Sequence, residues 1–478
     1  MDFCLFIGKR GRVDYYTKVA IMIWHFPDYA GVAQLVERRF RKARVGGSTP
    51  LASFYCLYFI YMSKFTEVLK NRNFFLLWLG QIISQFGDRL GQMALIALVY
   101  SRTPGSSLQI AKILSFTIIP VFLIGPIAGV YVDRWDRRRT MYACDFVRAL
   151  LLLLIPVVLF YTKNLSSIYI IIFIAFSLGR FFVPAKLSVV PELVEKKDLL
   201  IANSLVNTTG MIAAIAGFGI SGVLVEWWGA RSGFFMNGLT FLVSGSLIYF
   251  ICKKSCPSLK FKEVSKEIVE VISKSVAQEI KEGLLYFMKK KDIRFTAGIM
   301  FALWSALGAA YVVLIVFVQK TLHSATKDLG LLIMFLGIGL FFGSLCYGKF
   351  GQRLSHYKTI FISLILSGLM LTCFALVINR YPYFKIAAGL SFLLGVLVSP
   401  IMIASNTIIH KVSDNDMMGK VFSSLEIVMH LGFLLFMFIS SWLAEKIPHL
   451  YILSVVGCLI SILGALNLAV NRKIPGLD

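Results

Sequence analysis

Twelve stretches that are each long and apolar enough to cross a lipid bilayer follow one another between residues 74 and 470. They run over 74–100, 108–132, 140–161, 167–188, 202–225, 230–252, 295–319, 328–349, 358–378, 383–408, 420–444 and 449–470. A helix needs about 20 mostly apolar residues to span the hydrocarbon core. Lipid offers no partner for backbone N–H and C=O groups, so only helices or closed barrels cross it. Barrel strands need only about 9–11 residues, and runs of this length exclude them. The pattern therefore predicts an all-α integral membrane protein with twelve transmembrane helices. Charged residues make up 15% of the chain, against about 25% in an ordinary soluble domain. The first and fourth stretches are interrupted by charges, which leaves their limits the least sharply drawn.

The connections carry the second signal. Lys and Arg number 49 against 25 acidic residues, a formal net charge of +24. The basic residues gather at Lys64–Arg72, Asp133–Arg139, Lys253–Arg294 and Arg472–Lys473, with a weaker group at Lys349, Arg353 and Lys358. With an even number of spans these all fall on one side. The opposite connections hold isolated charges such as Arg102, Lys163, Arg231, Arg380 and Lys446. Basic connections stay in the cytoplasm, so both termini are expected there. Short basic loops between apolar runs fit an anionic membrane surface, and no nucleic-acid partner is expected.

The longest connection divides the spans six and six. Residues 62–252 are expected to form one six-helix bundle and residues 295–478 the other. Residues 253–294 form a basic cytoplasmic linker whose Val264–Phe287 stretch repeats apolar residues at helical spacing, as a surface-lying amphipathic helix does. Residues 1–61 are of another kind. Ala30–Arg39, continuing to Val45-Gly46-Gly47-Ser48-Thr49-Pro50, resembles the conceptual translation of a transfer-RNA gene. A spurious or disordered extension is expected there, with Met62 as the start of the bundle. The eight Cys show no CxxC pair, so neither a metal site nor a disulfide framework is expected.

One connection carries a motif. After the second span the chain reads Gly129-Val130-Tyr131-Val132-Asp133-Arg134-Trp135-Asp136-Arg137-Arg138-Arg139. This resembles the cytoplasmic loop signature of the major facilitator superfamily, with Asp136 in the form found in the macrolide-efflux and siderophore-exporter subgroup. Leu79–Asp88, Pro184-Ala185, Pro191-Glu192-Leu193 and Ala202-Asn203-Ser204 follow the same subgroup's order. Gly343–Gly351 with Arg353, then Pro400, Asn406 and Gly419–Phe422, echo the first half, as internal repetition of two six-helix halves predicts. Gly129 is expected to permit close helix approach, Asp133 to accept hydrogen bonds from a helix N-terminus or a nearby Arg, and the basic cluster of Arg134, Arg137 and Arg138 to fix topology and form a charge latch. Gly217–Gly222 departs from the pattern. It has no Pro where many proton-coupled exporters have a Gly-Pro pair.

Charges within the spans are expensive in lipid and mark candidate function. Asp88 lies about 14 residues into the first span, near the midplane at 1.5 Å per residue. It is a candidate site for a proton or a cationic substrate, with Arg180 of the fourth span modulating its charge. Asp145 and Arg148 are three apart and are expected to compensate each other. Glu426 and His430 are four apart and are further coupling candidates. Gln81, Gln85, Asn203, Asn207 and Asn406 are candidate cavity-lining groups. No phosphate-binding loop or catalytic constellation is present, so no enzyme activity and no cofactor are expected. The resemblance implies a proton-coupled secondary exporter of small amphipathic compounds. Its expected partners are a small-molecule substrate, protons and lipid, and it is expected to be a monomer in a bacterial inner membrane. A major facilitator importer or lipid transporter, or a non-transporting receptor or scaffold, also fits the sequence.

Overall fold

A computed structural model describes residues 65–132, 135–162, 165–251, 291–351, 355–412 and 418–471. The extension 1–61, the Val264–Phe287 stretch, and Asp133, Arg134 and Arg353 lie outside them. The described residues are helical throughout their ordered elements, with no strand among them.

In chain order the helices are α1 (Arg72–Arg102), α2 (Ser107–Leu123), α3 (Gly125–Val132), α4 (Arg137–Tyr161), α5 (Ser166–Leu193) and α6 (Leu199–Tyr249). A second set follows: α7 (Lys291–Leu322), α8 (Lys327–Phe350), α9 (His356–Arg380), α10 (Phe384–Val412), α11 (Met418–Ala444) and α12 (His449–Asn471). Two features reconcile these with twelve spans. The second span is split into α2 and α3 at Gly125-Pro126, where proline has no N–H to continue the ladder. The 51-residue α6 holds two spans that meet at Gly229, whose φ of 81° is open to glycine and strained for other residues.

Among the described residues, nine helices are long and apolar enough to cross a membrane, α6 counted once. α1 falls short in hydropathy although it has 31 residues, because Gln81, Ser84, Gln85, Asp88, Arg89 and Gln92 stand in its middle. The expected limits shift modestly. The fourth span runs on to Leu193, and the seventh begins at Lys291 rather than at 295.

Packing follows side-chain size and polarity. α1 to α6 pack mainly on one another, and α7 to α12 do the same. α6 meets α8 and α2 meets α11 where the two sets join. The outer surface is apolar. Val147, Leu150, Leu154 and Val157 form an exposed stripe on α4, and Tyr451, Val455, Leu459, Ile462 and Leu466 form one on α12. Water would penalise such stripes, whereas acyl chains match them. Exposed Phe160, Tyr161, Trp227, Trp228, Tyr381, Tyr383 and Trp442 cluster at the end away from the α3–α4 connection, the placement of an interfacial aromatic belt.

Candidate functional site

α1 crosses the first bundle against both arms of α6 and turns one polar face toward α4 and α5. On that face, Gln81, Ser84, Gln85 and Asp88 line a pocket of about 200 Å³. α4 adds Arg148, and α5 adds Phe176, Gly179, Arg180, Phe182, Val183 and Lys186. Residues 176, 179, 183 and 186 fall on one helix face by the three- and four-residue step, which is why a single helix supplies them.

The central contact joins α1 to α4. Arg148 donates from a terminal guanidinium nitrogen to Asp88 Oδ1 at 2.7 Å. Arg148 is 9% exposed and Asp88 33%, so the guanidinium is buried while the carboxylate opens on the pocket. Behind it the guanidinium stacks on the Phe241 ring of α6, 3.8 Å from the centroid. Desolvated cation–π contacts of this kind contribute about 2 kcal/mol.

Arg148 was expected to be compensated by Asp145, three residues earlier. Arg148 does act on Asp145 through space, but the direct ion pair of Arg148 is with Asp88. Asp145 is fully buried and accepts from Ser244 Oγ at 2.6 Å through Oδ2, while its Oδ1 has no hydrogen-bond partner. The carboxylate of Asp145 is turned to α6, and the longer Arg148 reaches over to α1. The i, i+3 rule describes an isolated helix face, and here tertiary partners on two other helices outcompete it.

Arg180 lines the same pocket, with Nε buried and unpartnered. It is within electrostatic reach of Asp88, Arg148 and Glu426. Glu426, on α11 of the second bundle, is exposed. His430 Nδ1 donates to the Glu426 carbonyl at 2.7 Å, and its ring lies 5.3 Å from that of Trp304. Gln81 is buried with Oε1 unpartnered. Asn203, Asn207 and Asn406 are exposed and do not line this pocket. Arg89, beside Asp88 in sequence, faces away: it bonds Gln92 at 3.0 Å and lies over Phe218. Sequence reasoning missed Arg148 as the partner of Asp88 and missed Lys186 altogether. A cation near the end of an apolar span reads as a snorkelling residue until its helix neighbours are known.

The motif connection is built as a set of helix caps. Asp136 caps α4 by accepting from the Arg139 amide at 3.0 Å. Arg137 pairs with Glu192 and reaches the Ser188 carbonyl at the end of α5. Arg138 donates to the Ile248 carbonyl at 3.3 Å and to that of Tyr249, at the end of α6. Cations on C-terminal carbonyls offset the negative pole of each helix. Trp135 stacks on Phe181 with centroids 5.8 Å apart. Gly129 lies in α3, and among the described residues no atom comes within 4 Å of where its Cβ would stand. Among them the close helix approach expected at Gly129 is found instead at Gly222, against Gly330 of α8.

Comparison with known proteins agrees with this architecture. The MFS-type transporter YkuC of Bacillus subtilis is 27% identical over 368 residues, covering 74% of this chain and 81% of that protein. Macrolide efflux protein A of Streptococcus pyogenes is 22% identical over 386 residues, 80% of this chain and 92% of its own. Among solved structures, the nucleoside transporter NupG superposes with a TM-score of 0.65 at 11% identity, over 84% of this chain and 100% of that one. A bacterial homologue of the iron transporter ferroportin in its inward-facing state gives 0.64 at 13% identity, over 83% and 98%. Identities this low carry the fold alone. Residues 63–396 match the family described as transmembrane secretion effector, which is most of the chain, and the protein therefore belongs to that family of major facilitator transporters.

Proposed function

We propose that the protein exports small amphipathic compounds through the pocket around Asp88 and Arg148, with protons as the coupling ion. The observation that carries this reading is an ion pair set across α1 and α4 within a membrane-spanning bundle, with its carboxylate open to a pocket. Membership of a secretion family and similarity to a macrolide efflux protein support the export direction. A proton reaching Asp88 removes the charge that holds Arg148. Asp145, one helical turn away with Oδ1 unpartnered, then becomes the available acceptor. This exchange of partners unties α1 from α4 and leaves the total charge of the protein groups and the proton balanced.

In this reading the basic connections, including the Asp133–Arg139 loop, face the cytoplasm together with both termini, in a bacterial inner membrane. The two bundles rock as a monomer about the pocket. Arg180, with Glu426 across the bundle interface, adjusts the field at Asp88.

The test is accumulation of a compound panel, erythromycin included, in an efflux-deficient bacterial host expressing the full chain. Expression lowers accumulation of at least one compound. A protonophore or Asp88→Asn restores it. Raised accumulation on expression indicates import instead, and full export by Asp88→Asn rejects the coupling role.

A further inference from the structure

The pocket holds more positive charge than its own acid neutralises. Arg148 is matched by Asp88. Arg180 and Lys186 line the same space, and among the described residues neither has an ion-pair or hydrogen-bond partner. Asp88 and Glu426 act on Arg180 through space, and among the described residues Lys186 forms no ion pair. Half-buried cations with no carboxylate paired to them are costly unless something else supplies the charge. Beside them stand Phe176, Phe182 and Val183, an apolar wall. At about 200 Å³ the space admits a head group and a few carbons, below the about 300–1,000 Å³ of a pocket that encloses a whole drug-sized ligand.

We propose that this pocket recognises an acidic group, a carboxylate or phosphate seated between Arg180 and Lys186, so that the exported compounds are acidic amphiphiles. The apolar body lies along Phe176 and Val183 and extends toward the second bundle. This rests on the reading of the pocket as the transport site. A membrane potential negative inside expels such an anion with about 2.3 kcal/mol per charge at 100 mV, so export draws on voltage as well as on the proton gradient.

The experiment is isothermal titration of the full chain in lipid nanodiscs with three probes sharing one ring system: 1-naphthylacetate, 1-naphthyl phosphate and 1-naphthylmethylamine. At least one acid binds and the amine does not. The stronger acid tells carboxylate from phosphate recognition. Lys186→Gln and Arg180→Gln each weaken acid binding by about tenfold or more, and Lys186→Arg retains it, which separates lost charge from lost fold. Binding of the amine as well as the acids, no binding of either acid, or acid binding indifferent to Lys186→Gln overturns the proposal. Export of the compound panel is read separately, so the transport reading can stand while the substrate class falls.

An independent observation concerns the end of the molecule away from the α3–α4 connection. Glu226, in the last turn of the first arm of α6, accepts from the amides of Ala325 at 3.2 Å, Thr326 at 2.6 Å and Lys327 at 3.2 Å, and from Thr326 Oγ1 at 3.2 Å. Glu445, just past α11, accepts from Ser106 Oγ at 2.8 Å and the Leu108 amide at 3.1 Å. Thr326 and Ser106 occupy the N-cap positions of α8 and α2. Each bundle therefore offers one carboxylate to the first turn of one helix in the other. The two surrounding stretches, 222–226 and 441–445, share a Leu two residues before the Glu, Leu224 with Glu226 and Leu443 with Glu445.

We infer that the two carboxylates are a paired lock that holds this end shut, placed by the internal repeat at equivalent points. Opening this end breaks both contacts and leaves the positive poles of α2 and α8 to water. The test is electron–electron distance measurement between spin labels at Phe160 and Tyr383, exposed residues of opposite bundles at that end. In the full chain, Glu226→Gln/Glu445→Gln shifts the distribution to longer distances, and each single variant shifts it part of the way. A double variant with the unaltered distribution and an unchanged melting temperature overturns the lock. A double variant that fails to fold is replaced by Glu226→Asp/Glu445→Asp, which shortens both carboxylates, and the same two readings apply.

Discussion

Asp88 has a cation against one oxygen and an open pocket beside it, and Arg148 has an aromatic ring behind it. Removing the acid leaves the buried guanidinium without the carboxylate it is hydrogen-bonded to. Breaking a fully buried pair costs about 3–5 kcal/mol, and the opening of Asp88 on the pocket lowers this to roughly 2 kcal/mol. Asp88→Asn is expected to lower the melting temperature in detergent, and Asp88→Asn/Arg148→Gln to recover part of the loss. Glu226 collects four hydrogen bonds from the start of α8, and charge-assisted bonds are the stronger kind. Glu226→Gln is expected to lower the melting temperature in detergent, because an amide in place of the carboxylate cannot accept all four. Asp88 was legible in the sequence because a carboxylate in an apolar run stands out. Its partner was not, since Arg148 has a nearer acid in Asp145. Glu226 and Glu445 were passed over because a carboxylate at the end of a span looks solvated until the helix it caps is in place.

At the scale of elements, α6 and α8 approach closely enough that only glycine fits at the crossing. A Cβ at Gly222 would stand 2.6 Å from the Thr326 carbonyl oxygen and 2.9 Å from the Gly330 Cα. Gly222→Ala is expected to push α8 off α6 and to loosen Glu226 from its amides. The amides of residues 325–327 should then exchange with solvent about tenfold faster, read by hydrogen exchange. The glycine-rich stretch 217–222 showed in the sequence as a departure from the exporter pattern, and the helix it packs on did not show. Helix existence was legible nearly throughout, because apolar length is a local property. The division of the second span at Ile124 was less so, since Gly125-Pro126 within an apolar run reads equally as a kink. The motif connection shows the same divide. The basic run at 137–139 was visible, but its pairing with Glu192 and with the last carbonyls of α5 and α6 depends on which helix ends fold beside it.

Across the whole molecule, the bundles are tied by hydrogen bonds at the end marked by Glu226 and Glu445, and the pocket lies within the first bundle beside the interface. The twelve apolar runs and their single midpoint linker already implied two similar halves, whereas the state in which those halves are found is a property of contacts far apart in sequence. Transport by rocking requires the pocket to face one side of the membrane at a time. The most direct measurement is the reaction of a cysteine at Val183, an exposed pocket residue, with a membrane-impermeant maleimide in a cysteine-free full-length chain, in vesicles of each orientation. Fast labelling is expected from the side of the basic connections and slow labelling from the other. A gain of labelling from that other side is expected in Glu226→Gln/Glu445→Gln. Fast labelling of the unlocked and the locked protein from the same side alone, or of the locked protein from the Glu226 side, would contradict these expectations.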